Sequence, residues 1–205
     1  MTPALILCLP ASRLSRKIVK NWCEVQLKIF GIEVSITDRN EGRYQSPPYL
    51  YVLLNQTSLS ETFIILHSLV TEFNILTNIE YALIPFVGWI VWLGGGVVIV
   101  RQWSAHARRG IDRAAQRLRA GKNFYMSIEG IRTPGPGLNP YRKGAAVLAI
   151  QAQATIVPII IHGAREILPY GEWRMRSGRV KVILCEAVPT TGLTYEDRNE
   201  LVQKL

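Results

Sequence analysis

The sequence has few acidic residues, few cysteines and no long apolar run. Its 15 Asp and Glu residues are outnumbered by 24 Lys and Arg residues, which gives a formal net charge of +9. This excess of basic charge favours anionic partners such as phospholipid headgroups, phosphorylated metabolites or nucleic acids. Cys8, Cys23 and Cys185 form neither a disulfide framework nor a metal-ligand spacing. We therefore expect a reducing compartment and predict no metal site.

Several common motifs are also missing. The sequence contains no Gly-x4-Gly-Lys-Ser/Thr phosphate loop and no Gly-x-Ser-x-Gly nucleophile elbow. His67, His106 and His162 lie too far apart for a zinc-binding pattern. The arginine-rich segment 105–120 lacks interleaved aromatic residues, so we expect no nucleic-acid partner.

Two apolar stretches, 3–10 and 81–93, are too short to span a bilayer. Residues 3–10 also lack the basic region and cleavage site of a secretory signal. They are either an interfacial segment or a partly buried or frayed end. In and after the second stretch, Trp89, Trp92 and Trp103 suit a membrane interface. Burial in the core explains these three aromatic residues equally well.

Apolar and polar residues alternate along the chain in blocks typical of strands and helices. The pattern predicts strands over 32–37, 49–54, 97–101, 123–128, 155–163 and 180–186, and helices over 13–30, 62–70, 105–120 and 145–154. Because predicted strands and predicted helices alternate along the chain, we expect an α/β fold with a mixed, largely parallel sheet flanked by helices. We divide the chain into an N-terminal segment, 1–31, and one domain, 32–205.

The predicted N-terminal helix is amphipathic. Apolar residues recur at helical spacing: Leu14, Ile18, Trp22, Val25 and Ile29. Basic residues lie on the other side: Arg13, Arg16, Lys17, Lys20 and Lys28. Such a helix suits an anionic membrane surface. The alternative is a helix that packs its apolar stripe on the core and leaves its charges in solvent.

Three predicted strands end in polar loops, and ligands bind beyond the carboxyl ends of parallel strands. If the strands are neighbours, five side chains converge: Gln56, Glu61, Arg101, Glu129 and Arg132. Paired arginines recognise phosphate through bidentate hydrogen bonds. The alternative is that the two arginines form salt bridges with the two glutamates and only pin the loops.

Four motifs follow one another in the chain. They read Asn55-Gln56-x4-Glu61, Gly95-x3-Ile99-Val100-Arg101, Glu129-Gly130-Ile131-Arg132 with Tyr141-Arg142-Lys143-Gly144 after it, and Val157-Pro158-Ile159. In kind and order they resemble the motifs of the lysophosphatidic acid acyltransferase family of glycerophospholipid acyltransferases. That family has Asn-His-x4-Asp, Gly-x3-Ile-Asp-Arg, Phe-Pro-Glu-Gly-Thr-Arg with Phe-Lys-Lys-Gly after it, and a Val-Pro-Ile strand. The likeness covers roughly residues 13–203.

The resemblance implies a function in phospholipid biosynthesis. A fatty acyl group would pass from acyl-CoA or acyl-carrier protein to the hydroxyl of a lysophospholipid such as 1-acylglycerol 3-phosphate. No cofactor is implied beyond this acyl thioester. The resemblance also implies a peripheral or monotopic protein, and we expect it on the cytoplasmic face of an anionic membrane.

The resemblance assigns site residues as well. Gln56 and Glu61 occupy the catalytic positions. The residues expected to bind substrate are Asn55, Ser58, Arg101, Glu129, Gly130, Arg132 and Lys143.

The first motif departs from the family pattern, because Gln56 and Glu61 replace the histidine base and its aspartate partner. Glutamine cannot take a proton near neutral pH, and losing a general base costs about 10²–10⁴ in rate. Two hypotheses stay open. Either Glu61 is a surrogate base with a pKa raised by an apolar pocket, or the chain is an impaired homologue that binds lysophospholipid or acyl-CoA without turnover. His67 and Glu72 repeat the spacing inside a predicted helix, and we reject them as the catalytic pair.

Overall fold

The computed structural model describes residues 13–41, 48–69, 71–100, 103–135 and 137–205. Segment 3–10 and Arg101, both discussed above, lie outside these ranges. Within them the chain forms one seven-stranded sheet. Its strands are β1 (Ile32–Asp38), β2 (Tyr49–Leu53), β3 (Phe73–Asn78), β4 (Val97–Ile99), β5 (Asn123–Ser127), β6 (Thr155–His162) and β7 (Gly178–Leu184). Their order is β1-β7-β6-β2-β5-β3-β4, and every neighbouring pair is parallel except β6 and β7.

Helices cover both faces of this sheet. They are α1 (Arg13–Ile29), α2 (Glu61–Ser68), α3 (Ile79–Ala82), α4 (Val87–Leu93), α5 (Ser104–Arg119), α6 (Gly144–Ala152), α7 (Ala164–Ile167) and α8 (Arg198–Lys204), with a 3-10 turn at Tyr195–Asp197. One face packs against α1, α2, α4 and α7, and the other against α5, α6 and α8. The predicted α/β fold with a largely parallel, helix-flanked sheet is confirmed.

The centre of the sheet follows from residue type. All five residues of β2 are buried, as its unbroken apolar run predicts for a strand covered on both faces. Helix α6 is apolar nearly all round, and six of its nine residues are buried between the sheet and its neighbours. Because β2, β5, β3, β4 and β6 run in parallel, their carboxyl ends lie together at one edge of the sheet, which we call the carboxyl edge.

The sequence pattern missed β3. Its polar residues Asn74, Thr77 and Asn78 interrupt the apolar pattern, and asparagine is depleted in strands. This strand lies between β5 and β4. The assumption that all three site-bearing strands are neighbours is therefore wrong for β4, although β2 and β5 do pair directly.

Helix α1 packs on the sheet by a side other than its most apolar stripe. Ser15, Val19, Cys23 and Leu27 are buried. Leu14, Val25 and Ile29 of the predicted stripe remain 50–68% exposed. The helix therefore shares the core of the domain and still presents apolar side chains to the outside. The boundary between 31 and 32 stays a prediction. In the described part of the chain, no helix is long and apolar enough to cross a bilayer.

Candidate active site

A cavity of about 210 Å³ opens at the carboxyl edge, where β3 parts from β5. The two strands pair only as far as Ile75 and Tyr125. Beyond that point β3 continues with β4, and β5 continues with β2. The gap is lined by residues from both faces of the sheet: Ile75, Leu76, Asn78, Tyr81, Val87, Val91, Ile99, Ala107, Ile111, Tyr125, Met126, Ile128 and Ala145. The walls are thus mostly apolar, with polar groups at the edge.

One wall exists because α5 approaches β4 closely. A Cβ atom added to Gly110 would lie 2.2 Å from the Cγ2 atom of Ile99. Since glycine permits this approach, the neighbouring helix positions Ala107 and Ile111 face the cavity. Glycine inside a helix costs about 1 kcal/mol relative to alanine, so Gly110 lowers the stability of α5 while it allows this close contact.

The loop after β2 carries the first motif and folds around the carboxyl group of Glu61. Its Oε1 atom accepts hydrogen bonds from Thr57 N (2.7 Å), Thr57 Oγ1 (2.9 Å) and Ser58 N (3.0 Å). Its Oε2 atom is buried and finds no hydrogen-bond partner in the described part of the chain. Glu61 is only 2% exposed and lines the cavity. One oxygen holds the loop, and the other has no hydrogen-bond partner among the described residues.

Burial raises the pKa of Glu61 from 4.5 to about 8. The hydrogen bonds from Thr57 and Ser58 oppose this effect, and the nearby charge of Glu129 adds to it. Desolvation dominates because the carboxyl group is enclosed by protein. A general base works best when its pKa lies near the working pH, so this carboxyl is suited to accept a proton in mildly basic conditions, where it is ionised.

Gln56 stands beside Glu61 in the cavity wall. Its backbone is fixed: Gln56 N donates to Glu129 Oε1 (2.9 Å), and Gln56 O accepts from Thr133 N (2.8 Å). Its side-chain Oε1 atom is buried without a hydrogen-bond partner among the described residues. An amide oxygen in this position accepts a hydrogen bond from a hydroxyl but removes no proton.

Glu129 is completely buried below the loops and does not line the cavity. Besides Gln56 N, its carboxylate accepts hydrogen bonds from Thr133 Oγ1 and from Asn139 N (2.9 Å). It thereby ties the loop after β2 to the loop after β5.

Two further predicted residues also bond to neighbouring segments. The Asn55 amide makes both of its hydrogen bonds to the backbone of Ile161, at 2.7 and 3.0 Å. Ser58 Oγ donates to Leu168 O (2.9 Å), and Ser58 also lines the cavity. Asn55 does not reach the cavity wall. These bonds fasten the first-motif loop to β6 and to the segment after α7.

Gly130 lines the cavity in a left-handed conformation, with φ at 71°, which favours glycine. Arg132 does not line the cavity. Its backbone N donates to the hydroxyl of the wall residue Tyr81 (3.1 Å), and its guanidinium lies 4.8 Å from the ring centre of Tyr170. No ion pair joins Arg132 to Glu61 or Glu129, which are all described residues, so the salt-bridge alternative is wrong for this arginine.

Sequence reasoning missed Arg142, which lines the cavity where Lys143 does not. Its Nε atom donates to Glu129 O (3.1 Å), so the guanidinium is anchored at the cavity wall. Sequence reasoning also missed Tyr125. Burial raises the pKa of this tyrosine well above its usual range, and the charge of Glu61 adds to the effect. A tyrosine hydroxyl between the apolar residues Phe124 and Met126 is the feature that marks Tyr125 in the sequence.

The histidines lie away from the cavity wall. His67 lies within α2, and its Nδ1 atom is 3.8 Å from a carboxylate oxygen of Glu24 in α1. The rejection of His67 as the base stays a prediction. His106 Nδ1 accepts a hydrogen bond from Val100 N (3.0 Å), and His162 is exposed at the end of β6. Within the described ranges, no three His, Cys, Asp or Glu residues are grouped to hold a metal ion.

Known proteins share this sequence and architecture. A model of the acyltransferase family matches residues 36–162. Human 1-acyl-sn-glycerol-3-phosphate acyltransferase beta is 37% identical over 117 residues, 57% of this chain and 42% of that protein. The human alpha enzyme is 27% identical over 206 residues, 98% of this chain and 72% of that protein. The chain thus spans less than half of one of these relatives.

The fold also has a counterpart among solved structures. The crystal structure of the 1-acyl-sn-glycerophosphate acyltransferase PlsC from Thermotoga maritima superimposes with a TM-score of 0.75 at 21% identity, covering 98% of this chain and 84% of that chain. Because the family model spans more than half of the sequence, the chain belongs to the acyltransferase family, as the order of its motifs predicts.

Proposed function

We propose that the chain transfers a fatty acyl group from an acyl thioester to the free hydroxyl of a lysophospholipid such as 1-acylglycerol 3-phosphate. The observation that carries this proposal is the Glu61 carboxyl group at an apolar cavity, with one hydrogen-bonded oxygen and one buried oxygen that has no partner among the described residues. The names of the relatives support the choice of substrate.

In the proposed reaction Glu61 Oε2 takes the proton of the lysophospholipid hydroxyl. The hydroxyl oxygen attacks the thioester carbonyl carbon, a new C–O bond forms, and the C–S bond breaks. The departing thiolate receives the proton back from Glu61, so no other reactant is needed. Gln56 Oε1 accepts a hydrogen bond from the hydroxyl before transfer and orients it toward the carboxylate.

The phosphate of the lysophospholipid lies at the polar rim of the cavity. Arg142 supplies a guanidinium there, and its bond to Glu129 O holds it in place. We keep Arg101 and Arg132 as further phosphate contacts, because they occupy the motif positions, and Lys143 as a more distant positive charge. Gly130 and Ser58 form wall positions where the glycerol approaches the backbone.

The test compares acyl transfer from a radiolabelled thioester by the wild type and by Glu61→Gln. We expect a rate about 10²–10⁴ lower in the variant, since a general base contributes that much. The exposed Glu186, on the segment after β7, gives a matched control, and Glu186→Gln should retain the wild-type rate. Equal nonzero rates in wild type and Glu61→Gln would eliminate the proposed base.

A second candidate function is binding of lysophospholipid or acyl-CoA without turnover. The specific observation is Gln56, which occupies the position of the family base and cannot remove a proton. This candidate predicts saturable binding by the wild type with no transfer. Turnover that appears only in the Gln56→His, Glu61→Asp double variant would favour it over the surrogate base.

We further propose that an anionic membrane covers the exposed apolar stripe of α1. Trp22 of this helix stacks on Phe86, with 5.8 Å between the ring centres, and Phe86 contacts Trp89 at 4.9 Å. Phe86 is 48% exposed and has a φ of 67°, which is rare for a bulky residue. Lys17 and Lys28 flank the stripe and suit anionic headgroups.

Vesicle sedimentation tests the membrane proposal. The Val25→Gln, Ile29→Gln variant should lose most of its binding to anionic vesicles, and neutral vesicles should bind the wild type weakly. If the variant binds anionic vesicles as well as the wild type does, the exposed apolar stripe of α1 is not the membrane-binding surface. We assign the cytoplasmic leaflet because Cys23 and Cys185 are free thiols, which persist in reducing compartments.

A further inference from the structure

The segment between β6 and β7, residues 163–177, returns along the carboxyl edge. Strand β6 ends at this edge, and β7 begins there because the two strands are antiparallel. Two serines of the first-motif loop hold the segment in place. Ser58 Oγ donates to Leu168 O (2.9 Å), and Ser60 Oγ donates to Ala164 O (3.4 Å). The segment therefore lies directly against the loop that carries the first motif.

A turn in this segment presents Tyr170 at the surface. Glu172 N donates to Pro169 O (3.2 Å), and Gly171 has a φ of 83°, which favours glycine in such a turn. The Arg176 guanidinium donates to both carboxylate oxygens of Glu172 at 2.8 Å and closes the base of the turn. The backbone of Tyr170 is thus held in place, although its side chain is 51% exposed.

The Tyr170 ring contacts Arg132, with the guanidinium Cζ atom 4.8 Å from the ring centre. Burial raises the pKa of Tyr81, and the positive charge of Arg132 opposes this shift, so the guanidinium also lies near the Tyr81 hydroxyl. Because Tyr81 lines the active-site cavity, Arg132 lies at the rim of that cavity. Among the described residues, no carboxylate is within salt-bridge distance of Arg132. None of them therefore neutralises its positive charge.

We propose that Tyr170 is a positioning residue for phosphate recognition: its ring holds the Arg132 guanidinium at the cavity rim, where the guanidinium binds the phosphate of the lysophospholipid. This inference rests on the proposed acyl transfer to a lysophospholipid. It adds a residue that lies outside the four motifs of the sequence. Tyr170 acts through Arg132 and touches no reacting atom.

An aromatic ring suits this role better than a carboxylate would. The ring attracts the positive charge but supplies no carboxylate oxygen, so the guanidinium keeps its capacity to donate to a phosphate. A carboxylate would accept those hydrogen bonds and cancel the charge. The ring also restricts a long side chain before the ligand arrives, which reduces the conformational entropy that is lost on binding. Tyr170 thus raises the affinity for a phosphate without competing with it.

Steady-state kinetics of Tyr170→Leu test the proposal. The KM for lysophosphatidate should rise about threefold to tenfold, the value of a cation–π contact at a partly exposed site, and kcat should stay within about twofold of the wild type. Tyr170→Phe keeps the ring and should restore the wild-type KM. With monoacylglycerol as the acceptor, which has no phosphate, Tyr170→Leu and the wild type should have equal rates.

The chain offers a matched control in a second tyrosine that contacts an arginine. Tyr195, in the 3-10 turn before α8, has the Cζ atom of Arg198 3.9 Å from its ring centre. Its side chain is 55% exposed, close to the value for Tyr170, and it does not line the cavity. Tyr195→Leu removes the same kind of contact and should leave the KM for lysophosphatidate unchanged.

A double-mutant cycle separates positioning from a general loss of structure. In an Arg132→Ala background, Tyr170→Leu should have no further effect on the KM for lysophosphatidate, because the ring acts only through the guanidinium. Fully additive effects in this cycle overturn the inference. An unchanged KM in Tyr170→Leu, or an equal rise in Tyr195→Leu, also overturns it, while turnover itself still supports the proposed function.

Absence of all turnover in the wild type counts against the proposed function instead. Equilibrium binding of lysophosphatidate then decides the inference, and Tyr170→Leu should weaken this binding by the same factor as expected for KM. Equal affinity of the two proteins for lysophosphatidate, or no binding by either, means that Tyr170 does not position a phosphate contact.

Discussion

Two loops at the carboxyl edge each contain a buried glutamate, and the two carboxyl groups are used differently. Glu129, after β5, has both oxygens bound, by Gln56 N, Thr133 Oγ1 and Asn139 N. Glu61, at the start of α2, has three donors on one oxygen and none from the described residues on the other. Two carboxyl groups that are almost equally buried thus differ in their hydrogen bonds and in the roles that we propose for them.

The difference lies in what surrounds each group. Glu129 is enclosed by the loops that it joins and is not part of the cavity wall. Glu61 faces a mostly apolar space, and none of the described residues donates a hydrogen bond to its second oxygen. A buried polar atom without a partner costs about 1–3 kcal/mol. Such a cost is typical of functional sites, where a ligand supplies the missing contact.

Replacing the structural glutamate should give the largest effect. Glu129→Ala leaves one buried and two part-buried donors without their acceptor, and a buried donor without a partner costs about 1–3 kcal/mol. We expect a loss of about 3 kcal/mol or more in the free energy of unfolding, measured by urea denaturation. Glu61→Gln keeps an oxygen for Thr57 and Ser58 and should change stability by less than about 1 kcal/mol. Similar losses in both variants would remove the distinction between the two glutamates.

A pH dependence of stability should follow from Glu61. Its pKa is about 8 in the folded chain and near 4.5 when unfolded, so the folded state holds the proton more tightly. The stabilisation is complete below the unfolded pKa and is lost as pH rises through the folded pKa. In this window stability should fall by up to about 1.4 kcal/mol per pH unit. The urea midpoint of wild type and Glu61→Gln, followed with pH, checks this, because the variant should lack the slope.

The fold was largely predictable because its elements carry strong local patterns. The unbroken apolar run of β2 and the small apolar residues of α6 predict elements that are buried at the centre of the fold. Strand β3 was not predictable in this way, since Asn74 owes its place to a tertiary contact, the hydrogen bond that it accepts from Arg16, while Asn78 caps the adjoining α3 locally. Long-range contacts of this kind leave no periodic pattern in a sequence.

The candidate site, too, could be predicted from the sequence only in part. Gln56, Ser58, Glu61 and Gly130 line the cavity as their motif positions predict. The choice between two adjacent basic residues was not predictable, because it depends on how the chain turns into α6. The contact of Tyr170 with Arg132 was not predictable either, because it joins two segments that are distant in the sequence.

The two basic neighbours before α6 should differ in effect on substrate binding. Arg142→Ala removes a guanidinium from the cavity wall and should raise the KM for lysophosphatidate about tenfold, the value of a charge-assisted hydrogen bond. Lys143→Ala removes an exposed charge and should change KM by about twofold at most. Steady-state kinetics at fixed thioester concentration measure both. A larger effect for Lys143 would show that the phosphate approaches from the solvent side of the loop.

The last expected effect concerns a single hydrogen bond, which the Thr57 hydroxyl donates to Glu61 Oε1. This bond lowers the pKa of Glu61, so Thr57→Val should raise that pKa further and shift the pH–rate profile to higher pH. The rate at neutral pH should fall by no more than about tenfold, the value of one hydrogen bond. Thr57→Ser keeps the hydroxyl and should retain the wild-type profile. The direction of the rate change at neutral pH is the informative result: a base that must lose its proton is weakened there by the lost donor, whereas an acid that must keep its proton would be strengthened. A faster rate at neutral pH in Thr57→Val would therefore contradict the assignment of Glu61 as the base.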